Sequence, residues 1–301
     1  MRDDRPLVTI ACPVRNGAGT LGPVLESALA QDYPHLEVVI GDNASTDGTE
    51  ELCRDLARRD PRVSYLRHPA NVGLLNNFRG VAEASNGSFV RWLGDADALD
   101  PDYVSRTLAT FAEDPRRVLV TTQMTYVDEA GVVTTSTAYD PTPLDSPDPV
   151  TRFAEMLRLL TSGFALLDPL YAMMRREVAV LPRRNILRED EVFAARLALA
   201  GPWGHVAAPL ARRERTEVDP AGLTRLLGVP AWHQHAADLI QARELLDWVG
   251  RSTLDPGQRR RARQEVLRLY ARRKRNKVRR GTAKLQRTVG GPVGLRTSGA
   301  Q

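Results

Sequence analysis

The stretch Arg91-Trp92-Leu93-Gly94-Asp95-Ala96-Asp97 ends a short apolar run with two carboxylates one residue apart. Carboxylates at the exit of a buried strand suit a hard divalent cation such as Mg²⁺ or Mn²⁺. Such cations take oxygen ligands and hold phosphates at the same time. A second acidic knot, Glu189-Asp190-Glu191, precedes the apolar-periodic segment from Val192 to Leu199, which places it at a helix N-terminus. Each group also has a plainer reading. Asp95 can cap a turn with Asp97 solvated, and the triplet can simply favour a helix dipole. Taken together, the two groups point to chemistry on a phosphate-bearing substrate.

The elements that must position these residues alternate through the first half. Residues 7–12, 36–40, 63–66 and 88–93 read as strands, and helix-spaced segments cover 20–31, the stretch up to about 59, and 76–84. This alternation predicts an open, twisted, mostly parallel α/β sheet flanked by helices. Ligands of such sheets sit at the carboxyl ends of the strands. Three polar segments fall there: Pro13-Val14-Arg15-Asn16, Asp42-Asn43 and Gly94 to Asp97.

Beyond residue 118 the pattern changes. Residues 118–122 and 125–127 read as separate strands, 139–150 as a loop rich in proline and aspartate, 150–160 and 190–200 as helices, and 171–174 as a strand. From Trp232 the sequence predicts a helical extension of two helices. The second, about 257–280, is thinly apolar and then basic. The Gly-, Thr- and Ser-containing end, 281–301, has the composition of a disordered tail.

Composition excludes several classes. Hydrophobic residues make up 42% and charged residues 26%, ordinary for a globular chain. The only cysteines, Cys12 and Cys53, fall in a strand-like and a helix-like run, neither a disulfide framework nor a zinc spacing. No apolar run approaches the roughly 18 residues that span a bilayer, and the first residues lack a signal-peptide core. A cytoplasmic protein is the expectation. The net charge of +5 is unevenly spread. Residues 259–301 hold all the lysines (Lys274, Lys277, Lys284) and a dense run of arginines against one acid, Glu265, so the rest is net acidic. An acidic body with a basic helix predicts attachment to an anionic partner, which could be an anionic membrane surface such as the inner face of a membrane, a nucleic acid or an acidic protein; a solvated charged helix is the plainer alternative.

The motifs together resemble family-2 glycosyltransferases. The resemblance rests on Pro13-Val14-Arg15-Asn16-Gly17, on "QDYPHLEVVIGDNASTDGT" (31–49), on "NVGLLNNFRG" (71–80) and on "GSFVRWLGDAD" (87–97). It covers about residues 6–215 and is strongest up to 105. It implies a GT-A fold, a nucleoside-diphosphate-sugar donor, a divalent cation (Mn²⁺ or Mg²⁺) and inversion at the anomeric carbon. Residues 1–120 then form the nucleotide-sugar-binding half, 121–230 the acceptor half, 231–280 the basic helical extension and 281–301 the tail.

The resemblance also implies roles. Asp97 is expected to ligate the cation, with Asp95 facing the ribose or a metal-bound water. Asp190 is expected to act as general base, with Glu189 or Glu191 as alternatives. Pro13 and Val14 would line the base, Asp42 and Asn43 would bond base or ribose, and Arg79 or Arg15 would meet the diphosphate. Three departures stand out. Ala96 occupies a position where relatives often carry an acid, and Asn43 stands where many have one. The stretch Leu210 to Thr216, read as the loop after the last strand of the domain, has no histidine where many relatives carry one. His233 and His235 are two apart and share no helical face. The acceptor stays open among a glycan, a lipid-linked sugar and a natural product. A sugar-nucleotide-forming nucleotidyltransferase and a transferase-like fold that only binds nucleotide share these features and remain alternatives.

Overall fold

β1 (Val8–Val14) is buried along its whole length and forms the centre of the first half. The computed structural model describes residues 5–136, 139–161, 169–215 and 219–289. After β1 come α1 (Leu21–Leu29), β2 (Leu36–Asp42), α2 (Thr49–Arg59), β3 (Val63–Arg67), α3 (Leu74–Ala84), β4 (Phe89–Trp92) and β5 (Asp97–Leu99). The chain continues through α4 (Tyr103–Glu113), β6 (Leu119–Asp128), β7 (Val133–Thr135), α5 (Pro149–Leu159), β8 (Met173–Arg175), α6 (Arg176–Ala179) and α7 (Glu189–Ala200). It ends with β9 (Trp203–Arg215), α8 (Pro220–Leu226), α9 (His233–Arg251) and α10 (Pro256–Val289).

One sheet runs through the molecule in the order β3-β2-β1-β4-β8-β6-β9-β5, with β7 beside β6. The ladders β1–β2, β1–β4, β2–β3 and β6–β9 are parallel, and they carry most of the pairing. The junctions β4–β8, β6–β8 and β5–β9 are antiparallel.

Alternation along the buried strands feeds two cores. Ile10, Cys12, Val38 and Ile40 face Leu21 and Leu25 of α1, whereas Ala11 and Val39 face Phe78 and Val81 of α3. Successive side chains of a strand point to opposite faces, so a strand covered on both sides must be apolar throughout. A third core joins α5, α7, α9 and α10 through Phe153, Val192, Leu245 and Val266. The two cysteines are free and buried. Burial pushes the Cys53 thiol up to about 12 and the Cys12 thiol higher still, which makes them neutral core residues. Among the described residues, no helix is long and apolar enough to cross a membrane.

Four sequence expectations are corrected. The two strands read at 118–122 and 125–127 are the single strand β6, interrupted by register shifts at Thr122, Gln123 and Met124. The strand expected over 171–174 begins at Met173, after a 3-10 turn over Pro169–Tyr171. Leu210 to Arg215 belong to β9 and do not follow it as a loop. Finally, α10 continues to Val289, well into the segment expected to be disordered; residues 290–301 lie outside the described residues.

Candidate active site

The carboxyl ends of β1, β2 and β4 meet in one corner. The loop after β1 is tied to the loop after β2 by a set of hydrogen bonds. Asn16 N–H donates to Ser45 Oγ at 2.9 Å, Gly17 N–H to Thr49 Oγ1 at 2.9 Å and Ala18 N–H to Asp47 Oδ2 at 3.1 Å. In return, Thr46 N–H donates to Asn16 Oδ1 at 2.9 Å. The same loop lies against the acidic cluster: a Cβ added to Gly17 would stand 3.7 Å from Asp95 Cβ. All three non-glycine residues with positive φ among the described residues flank this region or the acidic triplet: Asn16, Ala44 and Arg188. Left-handed backbone at such residues is costly and concentrates at functional sites.

Asp97 opens β5 and faces Arg213 across the β5–β9 ladder. The contact is bidentate, Arg213 Nε to Oδ1 at 2.8 Å and Nη2 to Oδ2 at 2.7 Å. Gly94 N–H adds a bond to Oδ2 at 3.0 Å. The side chains of Asp97 and Arg213 are only 3% and 15% exposed. Burial by itself would raise the Asp97 carboxyl. The charge and hydrogen bonds of Arg213, with the charge of Arg91, outweigh it and hold the group low. Asp95 behaves in the opposite way. Burial, with the charge of Asp97 adding, pushes its carboxyl up against a bond from its own backbone N–H. Arg91 is fully buried in β4, with its guanidinium 5.4 and 5.5 Å from the ring centres of Tyr103 and Tyr171. Arg213 lies over the other end of this arrangement, 3.3 Å from the Tyr171 ring centre.

The acidic triplet divides into distinct roles. Glu189 is buried and clamped by Arg183, with both oxygens 2.8 Å from Nε. Glu191 is buried and accepts from Arg188 at 2.7 Å, from Gln241 at 2.8 Å and from Arg273 of α10. Asp190 is half-buried and lines a cavity of about 200 Å³, together with Leu75, Phe78, Tyr171 and Leu227. Tyr171 is therefore shared between the Asp97–Arg213 corner and the cavity of Asp190.

Other expected donor contacts are placed differently. Asp42 is fully buried and accepts from Ser45 N–H at 2.8 Å, Tyr65 Oη at 2.7 Å and Arg67 Nη1 at 2.6 Å. Burial raises its carboxyl, but these bonds together hold it below the usual range. Asn43 donates to Asn71 Oδ1 and accepts from Val72 N–H, both at 2.8 Å, clipping the loop before α3 to the end of β2. The side chains of both residues are thus engaged by these protein groups. Arg79 lies on the exposed side of α3, paired with Glu83 four residues on, and no described contact joins it to the strand ends. Arg15 is exposed at the end of β1. Pro13 and Val14 are buried in β1, and Val14 C=O accepts from Asn43 N–H at 2.9 Å. His205 bonds Thr121 within the sheet at 2.9 Å. Sequence reasoning missed Arg213, Arg91 and Tyr171. A buried arginine inside an apolar strand was the one available signal; the cross-strand partner of Asp97, 116 residues away, has none.

The oxygen chemistry of Asp95 and Asp97 fits a divalent cation of the kind held by one or two carboxylates plus substrate phosphates. Among the described residues, no group of three or more potential metal ligands is assembled.

A mostly parallel sheet with carboxylates at its strand ends, joined to a second half by antiparallel strands, defines a GT-A-type fold. The chain belongs to the family described as Glycosyl transferase family 2, which it matches over residues 9–180. It is 32% identical over 126 residues to a chondroitin synthase of Pasteurella multocida, a match covering 42% of this chain and 13% of that protein. It is 27% identical over 113 residues to a putative teichuronic acid biosynthesis glycosyltransferase, TuaG, of Bacillus subtilis, covering 38% and 45%. The chain thus spans less than half the length of either relative. In fold it is similar to S. aureus TarS 1-349 in complex with UDP-GlcNAc. The TM-score is 0.61 at 15% identity, over 88% of this chain and 72% of that one. A mannosyltransferase of Pyrobaculum calidifontis, in complex with GDP-Man and Mn²⁺, aligns with a TM-score of 0.50 at 18% identity over 89% and 86%.

Proposed function

We propose that the protein is an inverting glycosyltransferase. It moves a sugar from a nucleoside-diphosphate sugar to an acceptor hydroxyl. One observation carries the reading: the carboxylates of Asp95 and Asp97 stand where the ends of β1, β2 and β4 converge, one tyrosine away from Asp190. Sugar nucleotides bound to the two fold neighbours named above support the donor class.

Asp95 and Asp97 would hold a Mn²⁺ or Mg²⁺ ion, which stabilises the charge developing on the diphosphate leaving group. The loops after β1 and β2, fixed to each other by their hydrogen bonds, form the platform for the nucleoside. Asp190 takes the proton of the acceptor hydroxyl as that oxygen attacks the anomeric carbon. Glu189 and Glu191 hold the first turn of α7 in place through Arg183, Arg188 and Arg273. The Asp190 cavity sets apolar side chains such as Leu75, Phe78 and Leu227 beside the charged Arg183, Arg188 and Glu189, a mixed wall that suits an acceptor with both an apolar and a polar part. The basic exposed face of α10 would meet an anionic membrane surface, at the inner face of which lipid-linked acceptors are presented.

The test is incubation with UDP-, GDP- and TDP-sugars plus Mn²⁺ and candidate acceptors. Release of nucleoside diphosphate, lost in Asp95→Ala and Asp97→Ala, supports sugar transfer. Pyrophosphate release would instead identify a nucleotidyltransferase, and binding without turnover a protein that only recognises the nucleotide.

A further inference from the structure

We propose that Arg213 is an internal counter-ion of Asp97. It occupies the cation position of the donor-free protein and gives it up only when cation and diphosphate arrive together. The inference rests on the cation reading of Asp95 and Asp97 above and concerns a residue that reading does not use.

The pairing is built into the sheet. The β5–β9 register sets Asp97 opposite Arg213, and residues paired in this way project from the same face. Three donors already address the Asp97 carboxylate: Arg213 Nε on Oδ1, and Arg213 Nη2 with Gly94 N–H on Oδ2. A cation at Asp97 must compete for these same oxygens. The competitor is strong, because bidentate arginine–carboxylate contacts are charge-assisted and geometrically matched. Its plane is also fixed by the stack on Tyr171. By contrast, no described side-chain hydrogen bond clamps the Asp95 carboxylate, which stands 3.7 Å (Cβ) from a Cβ placed on Gly17.

Charge balance explains why loading is joint. Among the described residues, Arg91 and Arg213 offset Asp95 and Asp97 in this corner. A divalent cation arriving alone would add two positive charges to a half-buried site already in balance. Local charge of that kind is costly unless it is paired. A diphosphate brings the compensating negative charge. It is also the bidentate acceptor that a displaced guanidinium prefers. Arg213 thus passes from a carboxylate to a phosphate while Asp97 passes from a guanidinium to the cation.

The experiment measures Mn²⁺ binding to the full chain by the loss of the free-ion EPR signal, with and without UDP or GDP. The wild type should bind Mn²⁺ weakly alone and more tightly with nucleotide. Arg213→Gln should bind Mn²⁺ without nucleotide more tightly than the wild type, by on the order of tenfold, a typical size for coupling between sites. Its affinity for nucleotide in the presence of Mn²⁺ should fall. Asp97→Asn in the Arg213→Gln background should remove the gain. Circular dichroism and the melting temperature establish that each variant is folded. If Arg213→Gln does not fold, Arg213→Lys, which keeps the charge but loses the fork, should show the same gain at smaller size. A folded Arg213 variant that binds Mn²⁺ no more tightly than the wild type overturns the inference and leaves the cation reading intact. Absence of Mn²⁺ binding from every form, even with nucleotide, overturns both.

Discussion

Asp190 differs from its two neighbours in what surrounds it, since all three share a helix turn. Glu189 and Glu191 are both clamped by arginines; of the three, Glu189 and Asp190 line the cavity and Glu191 does not. Asp190→Asn, which keeps the shape of the side chain, should lower turnover by about 10²–10⁴-fold, the usual worth of a positioned general base. Glu191→Gln should instead cost about 1–3 kcal/mol of stability for its charged hydrogen bonds. Denaturant melts and initial rates on the two variants check the division. Asp42 gives a pH signature. Burial raises its folded carboxyl, but the hydrogen bonds from Ser45, Tyr65 and Arg67 outweigh it and hold the group below the ordinary aspartate range. Its contribution is thus complete above the ordinary carboxyl range and is lost as pH falls through it. Asp42→Asn should destabilise the protein at neutral pH and flatten the acid limb of the stability curve, as read by thermal melts from pH 3 to 7. The residue types at 95, 97 and 190 were legible because their chemistry is local. The inward turn of Asp42 and Asn43 was not, because it depends on Tyr65, Arg67 and Asn71 folding back onto β2.

At the scale of elements, the first half was the readable part. β1, β2 and β4 are buried along nearly their whole length, so each appears as a largely apolar run bounded by polar turns, with Glu37 and Arg91 as charged interruptions. β6 and β9 are long and change surroundings along their length. Their ends lose the apolar signal, and the β6–β9 register slips near Gln123. That is why one strand read as two and why Arg212 to Arg215 read as a loop. The packing of α3 on the sheet makes a sharp prediction. A Cβ on Gly41 would stand 2.1 Å from Val81 Cγ2, so the helix sits where only a hydrogen fits. Gly41→Ala should cost about 1–3 kcal/mol, as overpacking does. It should also weaken nucleotide binding, because Asn77 of the same helix donates to Gly41 C=O at 2.8 Å beside the end of β2. Pairing Gly41→Ala with Val81→Ala should recover part of the loss in a thermal melt.

For the whole molecule, α10 joins a structural task to an electrostatic one. Ala262, Val266 and Leu269 recur at helical spacing and are buried against α5 and α9. One turn beyond Leu269, Arg273 reaches Glu191 at the start of α7. Basic residues cover the outer side, where Arg260, Arg263, Arg275 and Lys277 are exposed. Removing the helix would uncover the third core along with the charge, so truncation cannot isolate the electrostatic role. The two tasks separate by face. Leu269→Ala should lower stability by about 2–5 kcal/mol, the cost of emptying a buried leucine site. Changing Arg263, Arg275 and Lys277 together to Glu should leave the melting temperature nearly unchanged, since exposed charges contribute little to stability. The same triple change should abolish sedimentation with phosphatidylserine-containing vesicles, because each basic residue near an anionic surface is worth about 1 kcal/mol. Binding to neutral vesicles should be weak for both proteins, and raising the salt should release the wild type. If the triple variant sediments as the wild type does, α10 is a structural helix with a solvated basic face.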